Sequence, residues 1–316
     1  MKVCDILNSS KKPLFTFELL PPLKGHTLES IFKSTEKLMK YSPSYINITN
    51  HQNEVIYEET ESKIIRKTVR KRPGTIGIAA ALQYKFNIPT VPHLICAGMS
   101  DLEIENTLVE LNFLGIDNVF ALRGDPPHGE RKFIPCENGY SHSLKMIKQI
   151  ENLNKGVYLD KSIKDPVSSD FCIGVAGYPE KHFEAANLDI DIEYLKMKQA
   201  AGAAYIVTQL FFDNKKYFSF VEKCRKNGIT IPIIPGIKPI ARKVHLTTIP
   251  TTFSVDIPMQ LYELVNKAKD IKEIREIGIW WSIEQVKELI AYGVPGIHFY
   301  TIGSINSVDK IVEATF

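Results

Sequence analysis

The chain has 316 residues, 44% hydrophobic and 24% charged, which excludes disordered and fibrous classes and leaves room for two ordinary domains or one large barrel. Thirty-nine Lys and Arg against 36 Asp and Glu give a net charge of +3 with no dense basic run, so nucleic acid is not an expected partner. No apolar run approaches the roughly 18 residues of a membrane span, Met1 to Lys12 lack a secretory pattern, and Cys4, Cys96, Cys136, Cys172 and Cys224 form no Cys-x-x-Cys pair, so a cytoplasmic protein with reduced thiols is expected.

The first predicted strand is Leu14–Leu19, which runs into Pro21 and Pro22, and the second is Tyr45–Thr49. Thr75–Phe86, with Ala79, Ala80 and Ala81 at its centre, favours a helix. His93–Cys96 is the third strand; His93 and Cys96 differ in parity and should face opposite ways, which argues against a shared metal. Leu102–Leu114 carries Ile104, Leu108 and Leu111 at helical spacing, opens on a Ser100/Glu103 capping box and stops at Gly115 before the strand Val119–Leu122. Cys172–Ala176 is the fifth strand. The phrase of helix, glycine stop and β-branched run then recurs three times: Tyr194–Ala201 before Ile206–Thr208, Phe218–Lys226 before Ile231–Ile234, and Ile283–Ala291 before Ile297–Thr301. Eight strands alternating with helices predict an α/β fold, a (β/α)8 TIM barrel forming a single domain over residues 1–316. An open doubly wound sheet would need a Gly-x-Gly-x-x-Gly after a strand, and none is present.

Such barrels place their chemistry at the carboxyl ends of the strands. Glu18, set among Phe15, Phe17, Leu19 and Leu20, is a carboxylate in apolar surroundings, suited to general acid work if burial raises its pKa; an ion pair with a loop lysine is the competing reading. Strand two ends at Thr49, Asn50 and His51. Strand four ends in Arg123, Gly124, Asp125, Pro126 and Pro127, where the arginine suits a phosphate or carbonyl and the glycine allows close backbone approach, or where Arg and Asp pair beside a tight turn. Tyr178 and His182 follow strand five. Gln209 follows strand six and either reads a heterocycle's edge or caps the next helix. Pro235 to Pro239 reads as a rigid turn, with Lys238 as a surface lysine rather than a Schiff base, and Tyr300 lies in strand eight.

These phrases occur together. Phe17-Glu18-Leu19-Leu20-Pro21-Pro22, His93-Leu94-Ile95-Cys96, Leu122-Arg123-Gly124-Asp125-Pro126-Pro127, Gly177-Tyr178-Pro179-Glu180, Thr208-Gln209-Leu210-Phe211-Phe212-Asp213, Ile234-Pro235-Gly236-Ile237 and His298-Phe299-Tyr300-Thr301 stand in an order and spacing that resemble methylenetetrahydrofolate reductase, from about Phe15 to Tyr300. The resemblance implies a barrel that binds FAD, takes a hydride from NADH or NADPH and passes it to 5,10-methylenetetrahydrofolate, supplying methyl groups for methionine synthesis. It implies Glu18 as the acid that opens the folate ring and Asp125 as a carboxylate beside flavin and pterin. It further implies FAD contacts at Thr49, Asn50, His93, Arg123, Gly124 and Asp125, then at Tyr140, Ser141, Tyr178, His182, Ala185, Asp191 and Lys198. Asp125, Gln209 and Tyr300 are the implied substrate contacts, Gln209 reading folate and nicotinamide in turn.

One departure follows strand eight, where the family's Leu-Asn-Arg is replaced by Ile302, Gly303 and Ser304, removing an arginine that helps hold the folate tail. The chain ends at Phe316, so no further regulatory domain is expected. Two competing functions are a barrel lyase or aldolase without a redox cofactor, and a non-catalytic flavin subunit of a larger complex. The choice of nicotinamide and any homo-oligomer are not legible in the sequence.

Overall fold

The computed structural model describes residues 1–51, 54–60, 63–126, 132–302 and 304–316. Pro127 and Gly303 of the phrases above lie outside these. In chain order the elements are α1 (Val3–Ser9), β1 (Leu14–Leu19), α2 (Leu28–Met39), β2 (Tyr45–Ile48), β3 (Glu54–Glu59), β4 (Ile64–Val69), α3 (Thr75–Phe86), β5 (Thr90–Ile95), α4 (Asp101–Phe113), β6 (Asn118–Leu122) and α5 (Ser143–Asn154). There follow β7 (Cys172–Gly177), α6 (Leu188–Ala200), β8 (Ala203–Leu210), α7 (Asn214–Lys226), β9 (Ile233–Ile237), α8 (His245–Phe253), α9 (Met259–Lys267), α10 (Ile271–Tyr292), β10 (Gly296–Tyr300) and α11 (Ile305–Thr315). Eight strands close into a parallel barrel in the order β1-β10-β9-β8-β7-β6-β5-β2, and β3 pairs with β4 as a separate antiparallel hairpin. No described helix is long and apolar enough to cross a membrane.

Strand alternation divides the core into two layers. Phe15, Phe17, Ile46, Ile48, Ile173, Ile206, Ile297 and Phe299 face outward into the apolar layer between strands and helices. Leu14, Tyr45, Val91, Phe120, Cys172, Tyr205, Val207 and Ile234 fill the inside of the barrel. Val3 of α1 belongs to this inner cluster and is fully buried, so the first helix lies over the amino-terminal end of the barrel as a stopper. Asn118, at the start of β6, holds it there: its Oδ1 accepts from Val3 N at 2.8 Å and its Nδ2 donates to Met1 O at 3.0 Å.

A third apolar cluster, including Leu210, Phe212, Ile240, Ile249, Leu261 and Ile274, gathers α8, α9 and α10 above the carboxyl ends of β8 and β9. The Ser100/Glu103 capping box forms as the spacing predicts. So does the divergence of His93 and Cys96, the first lining the inner cavity and the second lying in the outer layer.

Two expectations need correction, and one element is new. The hairpin β3–β4 was not foreseen. Pro235, Gly236 and Ile237 belong to β9 rather than to a turn, because Gly236 N donates to Thr208 Oγ1 at 3.0 Å and the missing side chain leaves room for the Tyr300 ring. Lys238 is not a surface lysine: its Nζ donates to Ile302 O at 3.0 Å, and burial lowers its pKa against the opposing pull of Glu18.

Candidate functional site

Inward-facing residues near the carboxyl ends of the strands line a cavity of about 660 Å³. Glu18 comes from β1, Asn47 from β2, His93 and Ile95 from β5, Phe120 and Leu122 from β6, Ala176 from β7, Val207 and Gln209 from β8, and His298 and Tyr300 from β10. Strand parity selects this set: Glu18 shares its inward face with Leu14, Asn47 with Tyr45, His93 and Ile95 with Val91, Leu122 with Phe120, Ala176 with Cys172 and Gln209 with Tyr205 and Val207.

Glu18 is 5% exposed and stands beside Tyr300 on one neighbouring strand and Asn47 on the other. Its partner is His298 rather than a loop lysine, with Nε2 3.9 Å from Oε2. Next to it the Asn47 amide nitrogen lies 3.2 Å from His93 Nε2. Burial lowers the His93 pKa to about 4, so the ring is neutral and Nε2 accepts this bond with its proton on Nδ1. Asn47 Oδ1 has no partner among the described residues and is buried. The Tyr300 hydroxyl donates to Thr208 O at 2.6 Å, which fixes the ring against the wall, and burial raises its pKa well above the usual phenol value. Gln209 turns its Oε1 to Leu210 N at 2.9 Å, leaving its amide NH2 for a ligand; the next helix is capped by Asp213 instead.

The opposite wall carries the cation Arg123. Arg123 is ion-paired with Glu184 rather than with Asp125, and its guanidinium lies 5.0 Å from the centre of the Phe133 ring. Gly124 has φ +84°, and a Cβ there would stand 2.9 Å from Ala97 Cβ, so only glycine lets the chain turn past β5 at this point. Asp125 is exposed at the mouth. Tyr178 meets the His182 ring edge to face at 4.8 Å, and burial followed by the charge of Arg123 lowers the His182 pKa to about 4. Asp191 accepts from His182 N at 2.8 Å, and Lys198 Nζ reaches Ala176 O at 3.4 Å. Burial raises the pKa of Asp191 and lowers that of Lys198, each opposed by the charge of the other. Ala185 belongs to the same loop, its N donating to His182 O at 2.9 Å.

Of the residues singled out from sequence, Glu18, Thr49, Asn50, His93, Arg123, Gly124, Asp125, Tyr178, His182, Gln209 and Tyr300 line this one cavity. Ala185, Asp191 and Lys198 stand behind it, and Tyr140 and Ser141 stand outside its lining. Phe183, Thr252 and Phe253 line it without having been anticipated. They come from loops and from α8, where no strand-end rule applies. Lys238 does not line it. A second cavity of about 970 Å³ shares Asn50, His51, His93 and Ile95 with the first and extends toward the hairpin and α4.

The chemistry of these walls fits a flavin dinucleotide. Gly124 allows close backbone approach, Arg123 can meet a diphosphate or a ring carbonyl with Lys198 placed behind the wall, and Asn47 and Gln209 offer amide groups to a heterocycle.

A family model described as methylenetetrahydrofolate reductase matches residues 2–315. Methylenetetrahydrofolate reductase (NADH) 1 of Arabidopsis thaliana is 32% identical over 98% of this chain and 49% of its own length, so the chain spans about half of that relative. The 5,10-methylenetetrahydrofolate reductase of Buchnera aphidicola subsp. Schizaphis graminum is 31% identical over 96% of this chain and 92% of its own. Among solved structures, an uncharacterized protein from Clostridium thermocellum that binds two copies of 5-methyl-5,6,7,8-tetrahydrofolic acid superposes with TM-score 0.54 at 14% identity, covering 98% of this chain and 97% of its own, a likeness of fold.

Proposed function

Because the chain belongs to the methylenetetrahydrofolate reductase family, we propose that it reduces 5,10-methylenetetrahydrofolate to 5-methyltetrahydrofolate, using bound FAD and a reduced nicotinamide, NADH or NADPH. The observation that carries this reading is the cavity in which a buried carboxylate, Glu18, faces an amide reader, Gln209, with the cation Arg123 and the neutral His182 ring on the wall opposite.

Opening the five-membered folate ring requires a proton on the departing nitrogen and leaves an electrophilic iminium carbon. Glu18 supplies that proton from the cavity floor, where His298 and Asn47 flank it and water has little access. Gln209 and Tyr300 orient the pterin, the second as a ring already held by its bond to Thr208. Asp125, at the mouth, places negative charge where the iminium carries positive charge. The FAD would rest on Thr49, Asn50, His93, Arg123 and Gly124 on one side and on Tyr178, His182, Ala185, Asp191 and Lys198 on the other. When bound, it supplies hydride transfer from the nicotinamide to the folate carbon.

The purified chain, reconstituted with FAD, should be yellow, bleach anaerobically with NADH or NADPH, and recover its absorbance on addition of methylenetetrahydrofolate. A chain that takes up no FAD, or whose reduced flavin ignores the folate, overturns the proposal.

A further inference from the structure

Two of the five thiols, Cys4 and Cys172, meet where α1 crosses the amino-terminal end of the barrel. Cys172 opens β7 and belongs to the inner cluster, and Cys4, next to the buried Val3, packs against that cluster from outside. Cys4 N donates to Cys172 Sγ at 3.3 Å, which puts the Cys172 sulfur within about 5 Å of the Cys4 Cα. A disulfide joins Cα atoms roughly 4.4–6.8 Å apart, so the two side chains are within bridging reach. An ion pair two residues before each cysteine holds the approach in register, with Lys2 Nζ 2.6 Å from Asp170 Oδ2.

The two thiols are not alike. Cys172 is 3% exposed, and its hydrogen bond to Cys4, followed by burial, raises its pKa. Cys4 is half-buried, and the same bond lowers its pKa against burial and the charge of Asp5, with Lys2 assisting. Cys4 is therefore the accessible sulfur that sheds its proton first, and Cys172 the shielded one that keeps its own. An attacking thiolate beside a resolving thiol is the arrangement of a peroxide-reactive dithiol.

We propose that Cys4 and Cys172 form a redox modification site whose oxidant is hydrogen peroxide and whose product is a disulfide between α1 and β7. The Cys4 thiolate attacks one peroxide oxygen, the O–O bond breaks, and the departing hydroxide takes a proton from solvent to leave as water. Cys4 is now a sulfenic acid. The Cys172 sulfur then attacks the Cys4 sulfur, the S–O bond breaks, and the hydroxide leaves as a second water with the Cys172 proton. Two thiols lose two electrons, and one peroxide is reduced to two waters. A thiol reductant reverses the bridge by exchange. Because the cysteines are 168 residues apart, the bridge closes a long loop and fastens the stopper that Val3 and Asn118 otherwise hold. Neither step uses the catalytic cavity, so the proposal stands apart from the function proposed above.

The test treats the reduced full chain with hydrogen peroxide and follows thiol titration in denaturant, intact mass, a peptide map without reductant, and thermal melting. Two of the five thiols should disappear, the mass should fall by two hydrogens, and the map should link the peptide holding Cys4 to the one holding Cys172. The melting temperature should rise by roughly 5–10 °C and return with dithiothreitol. Cys4→Ser should lose both the link and the rise, whereas Cys136→Ser, at a half-buried thiol outside the pair, should keep both. A parent chain that retains all five thiols, links a cysteine other than Cys172 to Cys4, or collects sulfinic acid at Cys4 with Cys172 still reduced overturns the proposal. Loss of folate reduction in the untreated chain would count against the proposed function and leave this result as it stands.

Discussion

Glu18→Gln keeps the shape and the buried position of the side chain while removing its capacity to give up a proton. Folate reduction should therefore fall by about two to four orders of magnitude, while reduction of the flavin by the nicotinamide stays within a few-fold. Anaerobic stopped-flow of the two half-reactions measures both, and an equal loss in each would remove Glu18 from the acid role. The residue was legible in the sequence because a carboxylate between Phe17 and Leu19 has to face inward if its neighbours face the helices. Its partner was not legible. His298 lies 280 residues away in the chain and reaches Glu18 only because β10 closes the barrel against β1. Gln209 shows the same limit: its sequence neighbourhood allows a helix cap or a free amide, and only the bond from Leu210 N fixes which end of the amide remains.

At the scale of elements, two contacts hold the barrel's ends in shape. Glu180, in the loop after β7, accepts from Asp256 N at 3.2 Å and sits 3.5 Å from Lys216, tying the α8–α9 connection to the β7 loop beside Thr252 and Phe253 of the cavity wall. Burial raises its pKa to about 7, with the bond from Asp256 N and the charge of Lys216 opposing. The folded state thus keeps a proton that the unfolded chain has released, so this group's contribution to stability is full below pH 4.5 and declines as pH rises through about 7. Glu180→Gln should remove that decline, about 1 to 2 kcal/mol between the two ends of the window, read from urea midpoints on either side of it. At the other end, Asn118→Ala would leave the buried Val3 N–H without its acceptor and should cost about 1 to 3 kcal/mol in the same measurement, with kcat nearly unchanged.

Over the whole molecule, the barrel was legible because its eight strands are short β-branched runs stopped by glycine or proline, a rhythm that local chemistry dictates. The hairpin β3–β4 was not, since most of its described residues are exposed and no face repeats at period two. Helix α1 has seven residues, too few for a helical period, and its role rests on Asn118, 115 residues from Val3. The site divides in the same way: strand-end residues follow from parity, while Phe183, Thr252, Phe253 and the placement of Tyr140 and Ser141 depend on how loops and α8 fold over the top. The stopper also governs traffic. With α1 seated over one end and Tyr45, Phe120 and Tyr205 filling the barrel beneath the cavity, the cavity floor is closed from the amino-terminal side, and its ligands approach from the carboxyl ends of the strands. If folate and nicotinamide meet at this one floor as proposed, either in excess should slow turnover of the other, which initial rates at rising concentrations of each would show.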